Sequence, residues 1–308
     1  MPDTLLTFTD STDILHDPEA LRARAAEDGY LFFKQLLPKN DILNLRRQML
    51  EIIRKYGWTK DGTELMDGIA DRDAIDAEKE EDILFCGTGV TPPAYKEVQK
   101  LQDFHALAHH PNLVGMYERL FGTDVLVHPR HIARLMIPGK RNHPTPPHQD
   151  YIHIQGTQNV WTCWFPVGDC SIDMGALRAI KGSHKAGLQA VKPADGAGGL
   201  EVWLCEQGYE WVVGDFEAGD VLTFTSITVH KSVQNNYPER IRLSCDYRFQ
   251  PANEPLHDHS LVPHCGVMTW DEIYEGWDRE DLKYYWKKMD LQFSEWNEEI
   301  RWQKEKIC

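Results

Sequence analysis

The spacing of apolar positions changes twice along the chain. Residues 18 to 56, "PEALRARAAEDGYLFFKQLLPKNDILNLRRQMLEIIRKY", read as helix, short strand, helix. Asp17 supplies a cap, Pro18 a first-turn proline and Gly29 a stop. "YLFF" has strand length, and Leu43, Met49, Leu50 and Ile53 continue a helical stripe from about Ile42. "FHALAHHPNLVGMYERLFG" is again helical and closes on Gly122. Between these segments, residues 59 to 95 lose the period and become acidic and glycine-bearing. They read as a mobile excursion or lid with room for one helix.

From 124 to 250 the period shortens. Apolar runs of strand length recur in "VLVH", "IARLMI", "VWTCWFPV", "EWVV", "DVLTFTSITVH" and "IRLSCDYRF", parted by turns such as "PGK", "GSHKAG", "DGAGG" and "NNYPE". Helices followed by many antiparallel strands predict an all-β core, barrel or sandwich, with flanking helices. After Pro251 the texture changes again. Residues 270 to 305 hold five of the ten tryptophans, so this tail reads as one or two amphipathic helices. The tail is expected to close the outer face of the core or to form a homodimer contact.

Composition narrows the function. The 308 residues carry 48 acids against 33 bases, a net charge of −15, which argues against nucleic acid or anionic membrane as partner. No run of eighteen apolar residues is present. The opening "MPDTLLTFTDSTDILHD" lacks the order of a signal peptide. Seven scattered cysteines (86, 163, 170, 205, 245, 265 and 308) without any C-x-x-C fit reduced thiols, hence a cytoplasmic protein. With no obvious basic cluster, a small or neutral substrate is expected.

Candidate chemistry starts at "PPHQDYIH", residues 146 to 153. On a strand, His148 and Asp150 face the same way while Gln149 turns elsewhere. His-x-Asp offers two of the three ligands of the 2-His-1-carboxylate face that holds non-haem Fe(II). A single such pair occurs by chance in many chains, so a distal histidine is required. His230, ending "GDVLTFTSITVH", is the candidate; a strand-end histidine bonded to water is its plain alternative. The next segment alternates. Arg240, Arg242, Ser244, Asp246 and Arg248 share one face, and Ile241, Leu243, Cys245, Tyr247 and Phe249 the other. Guanidinium and hydroxyl on one strand suit a dicarboxylate. Asp246 is also placed to pair with Arg248.

The stretches "DGYLFFKQLLPKNDILNLRRQM", "PTPPHQD", "WTCWFPVGDCSIDMGALRAIKGSHKAG", "GDVLTF" and "HKSVQNNYPERIRLSCDYRF" together resemble the phytanoyl-CoA dioxygenase family of Fe(II)/2-oxoglutarate-dependent oxygenases. The likeness covers most of residues 20 to 250. It implies a double-stranded β-helix, a jelly-roll or cupin-like barrel buttressed by N-terminal helices and a C-terminal helical tail. The whole of 1–308 would then be one oxygenase domain, with its core at 124–250 and an extension at 251–308. It also implies Fe(II) on His148, Asp150 and His230, with 2-oxoglutarate and O2 as co-substrates. Either Arg240 or Arg242 would grip the far carboxylate of 2-oxoglutarate. Arg242 is preferred, because Arg242-Leu-Ser244 repeats an Arg-x-Ser pattern of related enzymes. Ser232 and Trp164 resemble further co-substrate contacts. The implied reaction is hydroxylation of an unactivated carbon of a small organic molecule, with release of succinate and CO2. An intact Asp150 argues against the halogenating branch, which lacks that carboxylate.

Other histidines read more plainly. His109 and His110 sit at a helix end and are expected to be solvated. His184 shapes the "GSHKAG" turn, and Tyr151 and His153 border a pocket or the barrel wall. His257, His259, His264 and Cys265 match no zinc spacing. Two rival readings remain: a non-catalytic ligand- or partner-binding member of the fold, and a cupin-like metal-dependent isomerase or hydrolase. Absence of succinate formation would favour the first, and bound zinc without 2-oxoglutarate the second.

Overall fold

The computed structural model describes residues 3–83, 85–139, 144–204 and 208–302. Two sheets and a layer of helices stack around a common core. The larger sheet comprises β2 (Tyr30–Phe33), β3 (Val125–Val127), β4 (Ile132–Met136), β5 (Trp161–Pro166), β10 (Val221–Thr225) and β12 (Arg242–Pro251). Its order is β2-β10-β5-β12-β3, with β4 also on β12, and every pairing is antiparallel. The smaller sheet runs β1-β9-β6-β11, made of Thr4–Thr7, Glu210–Val213, Arg178–Ile180 and His230–Lys231. A hairpin, β7 (Val191–Pro193) with β8 (Leu200–Val202), completes the set. The β1–β9 pairing is parallel, an addition from the N-terminus that the polar "TLLT" does not announce.

Strand alternation sorts the core. In β2, Leu31 and Phe33 join the helices, while Tyr30 and Phe32 face the smaller sheet with Trp164, Leu222, Phe224, Ala179 and Val212. In β12, Leu243, Cys245, Tyr247 and Phe249 face the helices. Burial of each such side chain stabilises the fold by about 1.5–3 kcal/mol. The opposite face of β12 is also buried, although it carries Arg242, Ser244 and Asp246. That exception marks the site.

The helix layer contains α1 (Pro18–Asp28), α2 (Lys39–Lys55), α3 (Pro92–Gln99) and α4 (Pro111–Phe121). The Asp17 carboxylate accepts from the amides of Glu19 and Ala20, and Gly29 ends α1 at φ 76°. Gly29 is required for space as well: a Cβ there would lie 2.3 Å from Nδ1 of His184. Its carbonyl accepts from Thr228 Oγ1 at 2.7 Å, tying the end of α1 to the turn before His230.

Several expectations change. Residues 59–95 pack rather than extend freely: short helices cover Arg72–Asp76 and Glu80–Ile83, and Ile75, Ile83 and Val90 enter the core. "DVLTFTSITVH" is two strands in different sheets, because Thr225 and Thr228 bond each other across a turn at 2.9 Å. The helical run before Gly122 breaks at Pro111, where His110 caps α4 by accepting from the Asn112 amide. His109 is not solvated: it packs edge-on against Tyr285 at 4.4 Å, and burial lowers its pKa to about 4. The tail forms no long helix. It wraps as 3-10 turns at Glu280–Leu282, Tyr285–Lys288 and Glu298–Trp302. Trp277 and Trp286 are buried against Leu126 and Leu256, in the chain's own core.

Candidate metal centre and its two cavities

His148 and His230 exchange backbone hydrogen bonds, N–H to carbonyl at 2.9 and 3.0 Å, forming an isolated bridge between their segments. His148 is therefore not on an extended strand. Asp150 occupies a helical turn (φ −62°, ψ −31°) that opens Tyr151–Ile154. Both side chains still face one point, because Gln149 turns the other way: its amide donates to Gly187 and Ile227 carbonyls and accepts from the Gln189 amide. On the other side, Ser183 of the Gly-Ser-His turn accepts from the Val229 amide at 2.9 Å, next to His230.

The Nε2 atoms of His148 and His230 lie 3.5 and 3.8 Å from Asp150 Oδ1. Among the described residues, these three form the one buried group of such ligands, all within 4.8 Å of one another. Each histidine donates from Nδ1 to a carbonyl, Pro146 at 2.8 Å and Thr228 at 3.0 Å, which leaves the Nε2 lone pairs turned inward. Burial, reinforced by His148, lowers the pKa of His230 to about 3, so it stays neutral. Burial alone would raise the Asp150 pKa. The Arg248 guanidinium, with smaller contributions from the two histidines, outweighs it and holds the carboxyl well below its usual range. Thr162 donates to Asp150 Oδ2 at 2.5 Å, and Arg248 Nη2 approaches that oxygen at 3.4 Å. Two imidazoles with Nε2 turned inward and one anchored carboxylate are a donor set for a mononuclear divalent metal such as Fe(II).

A narrow recess runs inward from this point, lined by Trp164, Leu177, Ser232, Arg242, Asp246 and Arg248 among others. Arg242 is fully buried, and among the described residues none of its three guanidinium nitrogens has a hydrogen-bond partner, nor has Ser244 Oγ beside it. A buried cation without a partner costs several kcal/mol, so the recess is shaped for an anion. Ser232 accepts from the Thr145 amide at 2.7 Å and keeps its own hydrogen for another acceptor. Arg240 lies elsewhere. It precedes β12, bridges to Ile69 and lines neither cavity, which separates it from Arg242. Asp246 meets Arg134 at 3.4 Å rather than Arg248, which is engaged by Asp150.

Outward from the metal point opens a chamber of about 530 Å³. Its wall includes His128, Arg130, Arg134, His153, His257, His259, His264 and Arg301, with Ile132, Ile154 and Trp296. Sequence reasoning missed most of these. His257, His259 and His264 belong to the chamber and not to a zinc site, and His153 lines it while Tyr151 does not. Trp296, Glu298 and Arg301 come from the tail, which is held by Gln155: its amide donates to the Asn297 carbonyl at 2.8 Å and accepts from the Asn297 amide at 2.7 Å. Cys86 also lines the chamber; a hydrogen bond from Cys265, then Arg130 and Arg134, bring its thiol down to about 7.

A metal point between an anion-receiving recess and an open chamber defines a class: mononuclear oxygenases that consume a 2-oxo acid beside their substrate. The chain belongs to the phytanoyl-CoA dioxygenase family, whose model matches residues 25–242. It is 27% identical over 276 residues to 1-deoxypentalenic acid 11-beta-hydroxylase of Streptomyces exfoliatus, covering 85% of this chain and 92% of that protein. Human peroxisomal phytanoyl-CoA dioxygenase is 25% identical over 236 residues, covering 72% of this chain and 65% of that protein. In fold, the epimerase SnoN, solved with Fe3+, alpha ketoglutarate and nogalamycin RO, superposes with a TM-score of 0.53 at 19% identity, over 78% of this chain and 86% of that one. The protein is an iron- and 2-oxoglutarate-dependent oxygenase with a sheet-rich core and flanking helices. Among the described residues, no helix is long and apolar enough to cross a membrane.

Proposed function

We propose that His148, Asp150 and His230 hold Fe(II), that Arg242 anchors the far carboxylate of 2-oxoglutarate with Ser244 and Ser232 beside it, and that a small organic molecule in the chamber is hydroxylated. The observation that carries this reading is the buried, unpartnered guanidinium of Arg242 next to a buried ligand triad. When bound, the iron would bring O2 to react with 2-oxoglutarate as co-reductant, one oxygen atom leaving in succinate with release of CO2 and the other entering the substrate as a hydroxyl. The chain's residues do the rest. The Nδ1–H bonds of both histidines keep their Nε2 atoms available, Thr162 and Arg248 hold Asp150 ionised, and Trp164 walls the recess against water.

The two facing sheets support a double-stranded β-helix that is open rather than a closed barrel. A hydrophobic core shared by the N-terminal helices and the larger sheet, and a tail packed on Leu126, support a single domain over 1–308. Five free cysteines among the described residues, Cys86, Cys163, Cys170, Cys245 and Cys265, suit a reducing cytoplasm. Anaerobic Fe(II) with 2-oxoglutarate should give a weak visible charge-transfer band that His148→Ala removes. A wild-type protein with no band and no succinate formation on any substrate would be incompatible with this function.

A further inference from the structure

Two of the four chamber arginines are paired and two are not. Arg134 meets Asp246 and Arg248 meets Asp150, each at 3.4 Å. Among the described residues, no carboxylate pairs with Arg130 or Arg301, although both line the chamber. Arg130 sits half-buried in the link between β3 and β4, its Nη1 donating to the His259 carbonyl at 3.0 Å. Burial first, and then the like charge of Arg248, act against its ionised form. Arg301 arrives on the tail with its Nε buried and unpartnered.

The chain does not lack acids to neutralise these groups, having 48 against 33 bases. The chamber sets two carboxylates, Asp150, which meets Arg248, and the exposed Glu298, against four arginines, so it is ready to receive the carboxylate of a ligand. Among its histidines the wall also offers apolar surface at Ile132, Ile154 and Trp296. Its volume of about 530 Å³ suits a molecule of modest size. The planar fork of one arginine matches a carboxylate through two parallel hydrogen bonds.

We infer that the substrate is an amphipathic small molecule with one carboxylate, received by Arg130, whose apolar body lies along Ile132, Ile154 and Trp296 and presents a carbon to the metal point. This rests on the iron and 2-oxoglutarate reading above and names its substrate class.

The test uses the full chain with Fe(II) and saturating 2-oxoglutarate under argon. It is titrated with adamantane-1-carboxylate, octanoate and decanoate, with the matching carboxamides and with octyl phosphate. Binding is read from tryptophan fluorescence and from perturbation of the charge-transfer band. At least one acid should bind roughly tenfold more tightly than its amide, the scale of a lost charge-assisted pair. In Arg130→Gln the preference should fall to near unity while the band itself is unchanged. Arg47→Gln, a surface control paired with Glu51, should keep it. Equal binding of every acid and amide, no binding by any acid, tighter binding of octyl phosphate, or a preference that survives Arg130→Gln overturns the proposal. A wild-type protein without the band sinks the metal reading instead. The acid–amide comparison is then made by fluorescence on the protein alone, with the same criteria.

Discussion

The recess and the chamber each present an arginine to an absent anion, yet they are built in opposite ways. Arg242 stands on a central strand, fully buried, with Ser244 two residues away on the same face. Arg130 stands on a connecting segment, half-buried, among residues drawn from the excursion, the strand links and the tail. A co-substrate of fixed chemistry can be held by one rigid strand. A substrate that differs between related enzymes is met by loops around that strand, where changes leave the core untouched.

The largest effect should come from the point the two cavities share. His148→Ala and Asp150→Ala should each reduce turnover by at least on the order of 100-fold and remove the charge-transfer band, since direct ligands matter more than the groups supporting them. Next, Arg242→Met should weaken 2-oxoglutarate binding, measured by calorimetry, by on the order of 100-fold. The same variant should melt at an equal or higher temperature without 2-oxoglutarate, because an uncompensated buried charge has gone. A large loss of stability would mean that Arg242 is structural.

Stability should also fall with acid. Burial holds His105 at about 3 and His131 and His264 well below the ordinary value of 6.5. In the folded state these groups stay neutral while the unfolded chain takes up protons, so stability is fully present above pH 6.5. It should be lost as pH falls from there towards the folded pKa values, by up to roughly 1.4 kcal/mol per pH unit for each group. A melting temperature that is flat between pH 7 and pH 5 contradicts this. The smallest effect belongs to the chamber rim. Gln155→Ala removes two bonds to Asn297, each contributing about 0.5–1.5 kcal/mol. It should speed hydrogen exchange across 294–302 and raise the substrate KM several-fold, while the charge-transfer band stays unchanged. An altered band would place Gln155 in the support of Asp150 instead.

Legibility followed the same division. The caps at Asp17 and Gly29, the strand "YLFF" and the alternation of residues 242–249 depend on local backbone geometry and can be read in order. His148 and Asp150 were paired by an argument about strand faces. The structure brings them together by another route, a bridge followed by a turn, with Gln149 used as the anchor. The tail misled because five tryptophans in 36 residues look like helix faces. Trp270, Trp277 and Trp286 pack instead in one cluster with Leu126 and Leu256, and Trp296 lines the chamber.

By itself, then, the sequence determined the first helices, most strands of the larger sheet and the strand that carries the buried arginine and serine, and through the family resemblance it named His148, Asp150 and His230 together. The elements follow from periodicity and from spacings of a few residues. Only the tertiary structure placed Arg242 in the recess and Arg240 outside both cavities, turned the tail into a wall and gathered Cys86, Arg130, His153, His259 and Arg301 around one space. Each of those residues sits in a polar stretch that reads like a solvated loop. Their common purpose arises from contacts between segments far apart in the chain, which no local period encodes.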